Sequence, residues 1–351
     1  MRVERTSPAF RFSRSRYESP LMFTVVAWCS SRSRIALAIT ASFITVVASD
    51  TALAQSYPVR PIRLLVPFTP GGGTDILARL LSPRLTEIFG QSILVENRGG
   101  AFTNIGTEIV ARSPADGYTV LIASTPHAIN PTLLSRLPFD PINDFTMISQ
   151  LALTQNVLVV HPSLPVTNVK QFIALAKARP GALTAGTSGG NSAYLAVEML
   201  KSMANIDVVN IAYKGAGQAL NDTVAGHVQF QFNTLLAAMP FIQSGRLRAI
   251  GVSGFKRASA LPNVPTVAET VADFESSGWY ALMGPAGIPR DIVLRLHDGF
   301  AKALRTPEIN KRLSELGVDV VAGTPDELTR LMPLEIRKWG AVVKSSGAKA
   351  E

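Results

Sequence analysis

Residues 62–79 read I-R-L-L-V-P-F-T-P-G-G-G-T-D-I-L-A-R and decide the fold of this chain. A short apolar run from Ile62 to Val66 precedes three consecutive glycines, and a helical pattern of apolar residues begins at Ile76. The pattern predicts a strand, a glycine-rich turn and a helix. The first turn of a helix presents unpaired backbone N–H groups at the positive end of the helix dipole, and glycines let a ligand approach them closely. The stretch therefore suits the binding of a small anion.

The turn does not match the common nucleotide-binding motifs. A phosphate-binding P-loop closes with Gly-Lys-Ser/Thr, and no lysine lies near this turn. A dinucleotide fingerprint that begins at Gly71 needs a glycine where Ile76 stands. Two interpretations remain at this point. Either a carboxylate or similar small anion binds the turn, or Gly71–Gly73 only join a strand to a helix that Thr74 or Asp75 caps.

The first 54 residues have the parts of a secretory signal peptide. Arg32 and Arg34 precede a run without charge from Ile35 to Ala48, and Ala52-Leu53-Ala54 is a small-residue cleavage site. The run is shorter than the roughly 20 residues that a membrane span needs, although a retained anchor is the alternative. We expect cleavage after about Ala54 and a location in the periplasm. Met22 is an alternative start of the chain.

Composition excludes several classes of function. The chain of 351 residues has a formal net charge of +9, and removal of residues 1–54 leaves 27 basic and 22 acidic residues, a net charge of +5. The only cysteine, Cys29, leaves with the signal, which excludes disulfides and thiolate metal sites. The basic residues form no cluster, so we expect no nucleic-acid partner. The histidines lack metal-ligand spacing, and no cofactor is expected.

Short apolar runs alternate with helical patterns along the 297 residues after Ala54. This alternation predicts an α/β fold with mostly parallel sheets, and the length exceeds what one compact core usually holds. The predicted strands after the first are Ile93–Val95, Tyr118–Ala123, Val157–Val160, Val208–Ile211, Val228–Phe232 and Leu247–Val252. The predicted helices are Asn104–Arg112, Val169–Arg179, Ala193–Ala204, Gln218–Ala225 and Leu235–Ser244.

Two features set the expected limits of the lobes. Thr154–Val157 and Gly278–Leu282 are plausible hinges, which would give one lobe of residues 55–155 plus 280–351 and another of residues 156–279. Crossings of this kind allow two lobes to close around a ligand.

Two further expectations concern helices. From Arg290 onward the chain is predicted to be wholly helical, and Pro83 is expected to kink or shorten the first helix.

A second glycine-rich turn, G-T-S-G-G-N-S at Gly186–Ser192, repeats the order of strand, turn and helix. One interpretation is a plain turn. Another is an anion-contacting turn that faces the first loop across a cleft, and this is the interpretation that we favour. In that arrangement neutral hydrogen bonds would come from Ser188, Asn191 and Ser192.

The same turn also matches G-x-S-x-G, the nucleophile elbow of serine hydrolases. Ser188 would be the nucleophile, and Asp222 followed by His227 or His297 satisfies the chain order of the catalytic acid and base. Any turn rich in glycine and serine has a fair chance of producing this match. A secreted serine hydrolase is therefore kept as the alternative function.

Other polar residues follow predicted strands, at the carboxyl ends where open α/β sheets bind ligands. Thr125 and His127 follow one strand, and Tyr213 and Lys214 follow another. His127 either lines a site or ties down its loop. Lys214 either attracts a carboxylate or solvates the rim. We place these four residues second in rank, as walls of the site.

Short motifs recur in an order and spacing that extend over nearly the whole mature chain, from Tyr57 to about Ala348. They are Y-P-V-R-P-I-R-L-L-V-P-F-T-P-G-G-G-T-D-I-L-A-R from Tyr57, V-E-N-R-G-G-A from Val95, N-I-G from Asn104, D-G-Y-T from Asp116, H-A-I-N-P from His127, N-V-L-V-V-H-P-S-L-P from Asn156, Y-K-G from Tyr213 and L-P-N-V-P-T-V-A-E from Leu261. In this order the motifs resemble the substrate-binding proteins of the tripartite tricarboxylate transporter group, also called the Bug family.

The resemblance implies a two-lobed periplasmic-binding-protein fold, similar to type II, with the ligand between the lobes. It implies a small carboxylate held by backbone amides, hydroxyls and bridging waters of two facing loops, which correspond here to Phe68–Asp75 and Ser188–Ser192. The implied function is a monomeric solute receptor without chemistry of its own. It would deliver a mono-, di- or tricarboxylate, aromatic and amino acids included, to integral-membrane transporter subunits or a membrane sensor. Independently of the resemblance, two further roles for Asp75 remain open: it caps the helix, or it pairs with an amine if the ligand is an amino acid.

The second loop departs from the family pattern G-x-G-S/T-x-x-H-L. Ser188 replaces the first glycine, Asn191 the hydroxyl residue and Tyr194 the histidine, and Asn233 stands where aspartate is common. These changes concern the ligand rather than the fold, because a bulkier Asn191 would narrow the pocket or add an amide donor. The predicted ligand-binding residues are Phe68, Thr69, Gly71, Gly72, Gly73, Thr74, Asp75, Thr125, His127, Ser188, Gly189, Asn191, Ser192, Tyr213 and Lys214.

Overall fold

The computed structural model of the chain describes residues 57–350, and the predicted signal peptide at residues 1–54 lies outside this range. The strands are β1 (Ile62–Val66), β2 (Ile93–Asn97), β3 (Thr119–Ser124), β4 (Phe145–Thr154), β5 (Asn156–Val160), β6 (Thr184–Thr187), β7 (Val209–Ala212), β8 (Phe230–Thr234), β9 (Arg248–Val252), β10 (Gly278–Pro285) and β11 (Val318–Val320).

Helices connect and cover these strands. They are α1 (Gly73–Phe89), α2 (Asn104–Ala111), α3 (Pro126–Leu133), α4 (Val169–Ala178), α5 (Ser192–Ala204), α6 (Ala216–Ala225), α7 (Leu235–Gln243), α8 (Arg290–Leu304), α9 (Pro307–Glu315) and α10 (Pro325–Ser346). Short 3-10 turns lie at Ala101–Thr103 and Val267–Glu269. None of the helices between residues 57 and 350 combines the length and hydrophobicity that crossing a bilayer requires.

The strands form two sheets, and the predicted two-lobed α/β fold is confirmed. The first lobe is built on a sheet with the order β11-β4-β10-β3-β1-β2, and the second on a sheet with the order β7-β6-β8-β5-β9. The expectation of mostly parallel sheets needs correction. Among the named strands of residues 57–350, β1 pairs in parallel with β2 and β3, and β6 with β7 and β8. The strands β4, β5, β10 and β11 pair antiparallel with their neighbours.

The first strand and helix form as their pattern predicts. All of β1 except Arg63 is buried, and α1 buries Leu77, Leu81 and Leu85, which recur every four residues on the face toward the core. The helix continues through Pro83, which lies on the exposed side, so the expected shortening is wrong. Packing of the apolar face stabilises the helix across the missing backbone N–H.

Three strands were not predicted, and each pairs with residues distant in sequence. All of β10 and seven of the ten residues of β4 are buried, and the two strands pair along their whole length. The segment after Arg290 is not wholly helical, because Val318–Val320 pairs with the end of β4. The predicted hinge at Thr154–Val157 coincides with the passage from β4 to β5, where Gln155 alone separates strands of different sheets. The predicted hinge at Gly278–Leu282 falls inside β10.

Candidate functional site

The two predicted loops follow β1 and β6 and line the same space between the lobes, and the first loop touches the second lobe at the start of α6. A Cβ atom built on Gly215 would collide with the Thr69 side chain, and one built on Gly217 would lie 3.1 Å from Pro70 O. These glycines begin α6 in the second lobe, whereas Thr69 and Pro70 belong to the loop before α1 in the first. Two cavities lie between the lobes around this contact, and Phe68, Thr69 and Asn191 line both.

The smaller cavity, here called the inner chamber, has a volume of about 60 Å³. Five helices begin at its wall, namely α1, α3, α5, α6 and α7. Helix N-termini present unpaired N–H groups and positive partial charge, so their convergence favours an anion. The lining residues are Phe68, Thr69, Gly72, Gly73, Thr74, Ser124, Thr125, Pro126, Thr154, Asn156, Asn191, Ser192, Ala193, Ala216, Asn233, Thr234, Gly278, Trp279 and Tyr280.

The inner chamber contains no acidic or basic side chain among the described residues that line it. At the start of α1, Ile76 N–H donates to Gly72 O at 3.0 Å, and no side chain of residues 57–350 caps the turn from Gly72. The amides of Gly73 and Thr74 therefore precede the first intrahelical hydrogen bond. A carboxylate held here would be stabilised by N–H groups and hydroxyls rather than by a cation.

The inner chamber also holds polar side-chain atoms that find no hydrogen-bond partner within the described chain. They are the hydroxyls of Tyr280 and Thr234 and the amide oxygen of Asn156. Burial raises the pKa of Tyr280, and the hydroxyls of Thr234 and Thr154 nearby lower it by less. Those two hydroxyls are polar neighbours, but neither lies in hydrogen-bonding geometry with Tyr280. Tyr280 is thus a neutral potential donor in a water-poor space.

The larger cavity, here called the outer cavity, has a volume of about 340 Å³. Its wall is partly aromatic and includes two lysines, Lys214 and Lys349, with no acidic residue among its described lining. Such a wall attracts a negatively charged solute with an apolar body. The lining residues are Pro67, Phe68, Thr69, Gly99, Gly100, Ala101, Phe102, Thr103, Thr187, Ser188, Gly189, Asn191, Tyr194, Ala212, Tyr213, Lys214, Gly215 and Lys349.

A strained segment carries one aromatic wall of the outer cavity. Ala101, Phe102 and Thr103 have φ angles of 46°, 57° and 78°, in the left-handed region that residues with a Cβ rarely adopt. Asn130 Nδ2 donates to Phe102 O at 2.7 Å and helps to hold this conformation. The Phe102 ring lies against Gly189, where a Cβ would be 2.5 Å from ring atom Cε1. Strain at such a position is tolerated where it serves a site.

Asn191 caps helix α5 instead of pointing a free amide at a ligand. Its Oδ1 accepts from Tyr194 N–H at 2.8 Å, and its Nδ2 donates to Ser188 Oγ at 2.9 Å. The side chain therefore fixes the second loop and lines both cavities. Ser192, the first residue of the helix, is 5% exposed, and its Oγ accepts from Asn156 Nδ2 at 3.0 Å.

The arrangement of a serine hydrolase is not assembled around Ser188. Ser188 follows the carboxyl end of β6, whereas His227 precedes β8, which pairs with β6 in parallel. Ser188 and His227 therefore lie at opposite ends of the parallel strands, one at the carboxyl ends and the other at the amino ends. Asp222 accepts from the Tyr213 hydroxyl at 2.7 Å, and His297 lies beside Asp298 on α8. The Tyr213 hydroxyl thus bonds to α6, and burial with this bond to Asp222 raises its pKa to about 12.

Three predicted site residues line neither cavity. Gly71 N–H donates to Asp75 Oδ2 at 3.0 Å, and the Asp75 carboxylate also accepts from Arg79 Nε and Asn97 Nδ2, each at 2.9 Å. Burial raises the pKa of Asp75, but these hydrogen bonds together hold it below its usual value. Asp75 thus shapes the first loop from behind, and the expected pairing with a ligand amine needs correction.

His127 is the third residue outside the cavities. It is buried, its Nε2 lies 2.8 Å from Pro141 O, and its ring contacts Phe139 and Phe145. Burial lowers its pKa to about 4. The structure therefore supports the interpretation that His127 ties down a loop, and it corrects the placement of this residue in the wall.

The other twelve predicted residues lie where the two cavities meet or in one of them. Gly72, Gly73, Thr74, Thr125 and Ser192 line the inner chamber only, and Ser188, Gly189, Tyr213 and Lys214 line the outer cavity only. Phe68, Thr69 and Asn191 line both. The sequence analysis did not place Phe102, Asn156, Thr234 and Tyr280 in the site, although Asn156 begins one of its motifs. Across residues 57–350, no cluster of three or more acidic, histidine or cysteine side chains is arranged to hold a metal.

Comparisons with known proteins show the family to which the chain is similar. The family model described as tripartite tricarboxylate transporter family receptor matches residues 77–348. The chain is 35% identical over 300 residues to the protein BugT of Bordetella pertussis, covering 84% of this chain and 92% of that protein.

Solved structures show the same architecture. One Rhodopseudomonas palustris protein, solved with adipate, is 37% identical with a TM-score of 0.80 and covers 83% of this chain and 98% of that one. MatC from Rhodopseudomonas palustris, solved with bound malate, is 28% identical with a TM-score of 0.77 and covers 82% of this chain and 100% of the other.

Proposed function

Because the chain belongs to the tripartite tricarboxylate transporter receptor family, we propose that it binds a small carboxylate between its lobes and delivers it to a membrane protein. The observation that carries the proposal is the uncharged inner chamber at which five helices begin. Relatives solved with adipate and malate support the assignment of the ligand class.

The two cavities suggest how a ligand is divided between them. One carboxylate group enters the inner chamber and accepts hydrogen bonds from the amides at the start of α1 and from hydroxyls such as that of Ser192. The rest of the molecule occupies the outer cavity beside Phe102 and Lys214, which favours an apolar body with a further acidic group. Water-mediated contacts add to direct ones without weakening the complex.

The lobes that close on this ligand follow the predicted division. We assign residues 55–155 plus 280–351 to the first lobe and residues 156–279 to the second. In support, all strands of the first sheet except the start of β10 fall in the first set, and all strands of the second sheet fall in the other. The passage at Gln155 and the segment before β10 then serve as hinges.

Transport requires export and a membrane partner. We infer that residues 1–54 direct the chain to the periplasm, that cleavage occurs after about Ala54, and that the receptor acts there as a monomer on transporter subunits or a membrane sensor. Mass spectrometry of the protein from a periplasmic extract should give an N-terminus at Gln55. Retention of the leader in the membrane fraction would contradict export in soluble form.

Binding is tested by isothermal titration calorimetry of the purified protein against mono-, di- and tricarboxylates. At least one acid should bind saturably, and at about 100 times its Kd it should stabilise the protein by about 2.7 kcal/mol in a thermal melt. The absence of saturable binding across the panel would refute the proposal. Labelling of Ser188 by serine-directed probes would instead support the hydrolase alternative, for which the separation of Ser188 from His227 gives no support.

A further inference from the structure

The inner chamber contains three buried polar atoms that nothing in the described chain pairs: Tyr280 OH, Thr234 Oγ1 and Asn156 Oδ1. Tyr280 and Asn156 are 2% and 1% exposed. Buried polar atoms are nearly always hydrogen-bonded, and leaving one unpaired is unfavourable. Three such atoms around one small space indicate the hydrogen-bonding pattern of what binds there.

The two hydroxyls flank the start of α1 from different lobes. A Cβ atom on Gly73 would lie 2.6 Å from Thr234 Oγ1 and would also collide with Tyr280 OH. Tyr280 is on β10 of the first sheet, and Thr234 ends β8 of the second. Because hydroxyls and amide N–H groups both donate, this side of the chamber suits a carboxylate.

Asn156 offers the opposite polarity. Its Nδ2 donates to Ser276 O at 2.7 Å and to Ser192 Oγ at 3.0 Å, and these two bonds fix the orientation of the amide. The Oδ1 atom is then available to the ligand, and it can only accept a hydrogen bond. Asn156 and Thr234 are direct partners in the antiparallel pair of β5 and β8, so their side chains share one face. The acceptor therefore stands beside the donors.

A plain carboxylate satisfies the hydroxyls but brings no hydrogen to Asn156. A hydroxyl on the carbon next to the carboxylate supplies that hydrogen. An ammonium group there would also donate, but no acidic residue lines the described chamber to balance its charge.

We propose that the ligand of this receptor is a 2-hydroxycarboxylate, with Tyr280 and Thr234 donating to its carboxylate and Asn156 Oδ1 accepting from its hydroxyl. This assignment rests on the proposed function and specifies the ligand class of the same site.

The experiment compares L-malate, succinate and L-aspartate by titration calorimetry, since these acids differ only in the substituent at carbon 2. Malate should bind at least about tenfold more tightly than each of the others, as expected for one additional hydrogen bond to a buried acceptor. Succinate binding as tightly as malate, or aspartate binding most tightly, would overturn the 2-hydroxy assignment. If none of the three binds while only acids without a 2-hydroxyl group bind, the assignment is also overturned, whereas failure of the entire panel refutes the proposed function itself.

A conservative variant separates binding from structure. Tyr280→Phe should lower the affinity for malate at least about fivefold without lowering the unfolding temperature, because it removes a hydroxyl that has no hydrogen-bond partner in the described chain. Tyr57→Phe is the matched control: Tyr57 OH donates to Gly117 O at 2.6 Å, so this variant should be less stable and bind malate normally. Unchanged malate affinity in Tyr280→Phe contradicts the assignment.

A second variant tests the acceptor. Asn156→Asp places a negative charge at the position that accepts the hydrogen bond from the ligand's 2-hydroxyl group. Because that charge pairs with the ammonium group of aspartate, the affinity ratio of aspartate to malate should rise at least about tenfold. An unchanged ratio in the folded variant would overturn the role of Asn156. If the variant does not fold, the comparison of the three acids with the native protein decides the proposal.

Discussion

The ring of Phe102 in the first lobe lies directly against the backbone of Gly189 in the second, so that a single added methyl group would enter the ring. Phe102 has a φ of 57° and presents its ring from a strained turn. The contact couples the strained turn to the second glycine-rich loop and forms part of the wall of the outer cavity. The contact between Phe102 and Gly189 therefore limits how closely the two lobes approach each other.

Gly189→Ala should weaken carboxylate binding because the methyl group forces the Phe102 ring and the second loop apart. We expect a loss of about three- to tenfold in affinity with little change in the unfolding temperature. The double variant Gly189→Ala/Phe102→Ala should recover part of the loss relative to Phe102→Ala, since the collision is then removed. Additive losses in a double-mutant cycle would show that the contact does not govern binding.

Gly72 should be sensitive to side-chain size although the fold tolerates a substitution there. Its φ is −83°, and a Cβ would meet no atom within 4 Å, yet the residue lines the inner chamber. Affinity should fall stepwise from Gly72→Ala to Gly72→Val, with carboxylate binding abolished in the valine variant. Circular dichroism and unfolding temperature should stay unchanged. Retained binding in Gly72→Val would mean that the first loop is only a turn.

Lys214 should favour dicarboxylates over monocarboxylates. Its side chain is exposed at the outer cavity, and an exposed charge contributes little and is screened by salt. Lys214→Met should reduce the affinity for a dicarboxylate about two- to fivefold at low ionic strength and leave a monocarboxylate unaffected. Lys177→Met, an exposed lysine on α4, is the control. Equal losses for both ligand classes would contradict a charge effect.

His127 should make the protein less stable in mild acid. Burial lowers its pKa to about 4, so between about pH 6.5 and 4 the unfolded chain binds a proton that the folded protein excludes. The contribution of neutral His127 to the free energy of unfolding is therefore complete above this pH window. It is lost as the pH decreases through the window, which lowers the free energy of unfolding by up to about 3 kcal/mol. Urea denaturation of the native protein and of His127→Gln at pH 7.5 and 4.5 measures this, and an equal pH dependence in both would contradict it.

Local pattern was sufficient to predict the two glycine-rich loops as connections from a strand to a helix. Three glycines after a buried apolar strand predicted a turn, and the helical spacing after Ile76 predicted a helix, so the position of the proposed anion site at the start of α1 followed from neighbouring residues. The second loop followed in the same way from Gly186–Ser192. Both lie at the cleft between the lobes.

Other parts of the site depend on contacts between residues far apart in the chain. Tyr280 approaches Gly73 across about 200 residues, and Asn156 is oriented by Ser276 O. The sequence of β10 does not alternate between apolar and polar residues, because the whole strand is buried. Phe102 adopts a left-handed conformation that cannot be predicted from its residue type. Placement of these residues requires the pairing of strands and lobes that only the folded structure provides.

The central claim is that uncharged amides and hydroxyls, rather than a cation, hold the carboxylate. A crystal structure of the protein with the tightest-binding acid of the panel tests it most directly. We expect one carboxylate in the inner chamber, with oxygen atoms at about 3 Å from donors at the start of α1 and from hydroxyls of the second lobe. A ligand lodged elsewhere, or held chiefly by lysine or arginine side chains, would contradict the account.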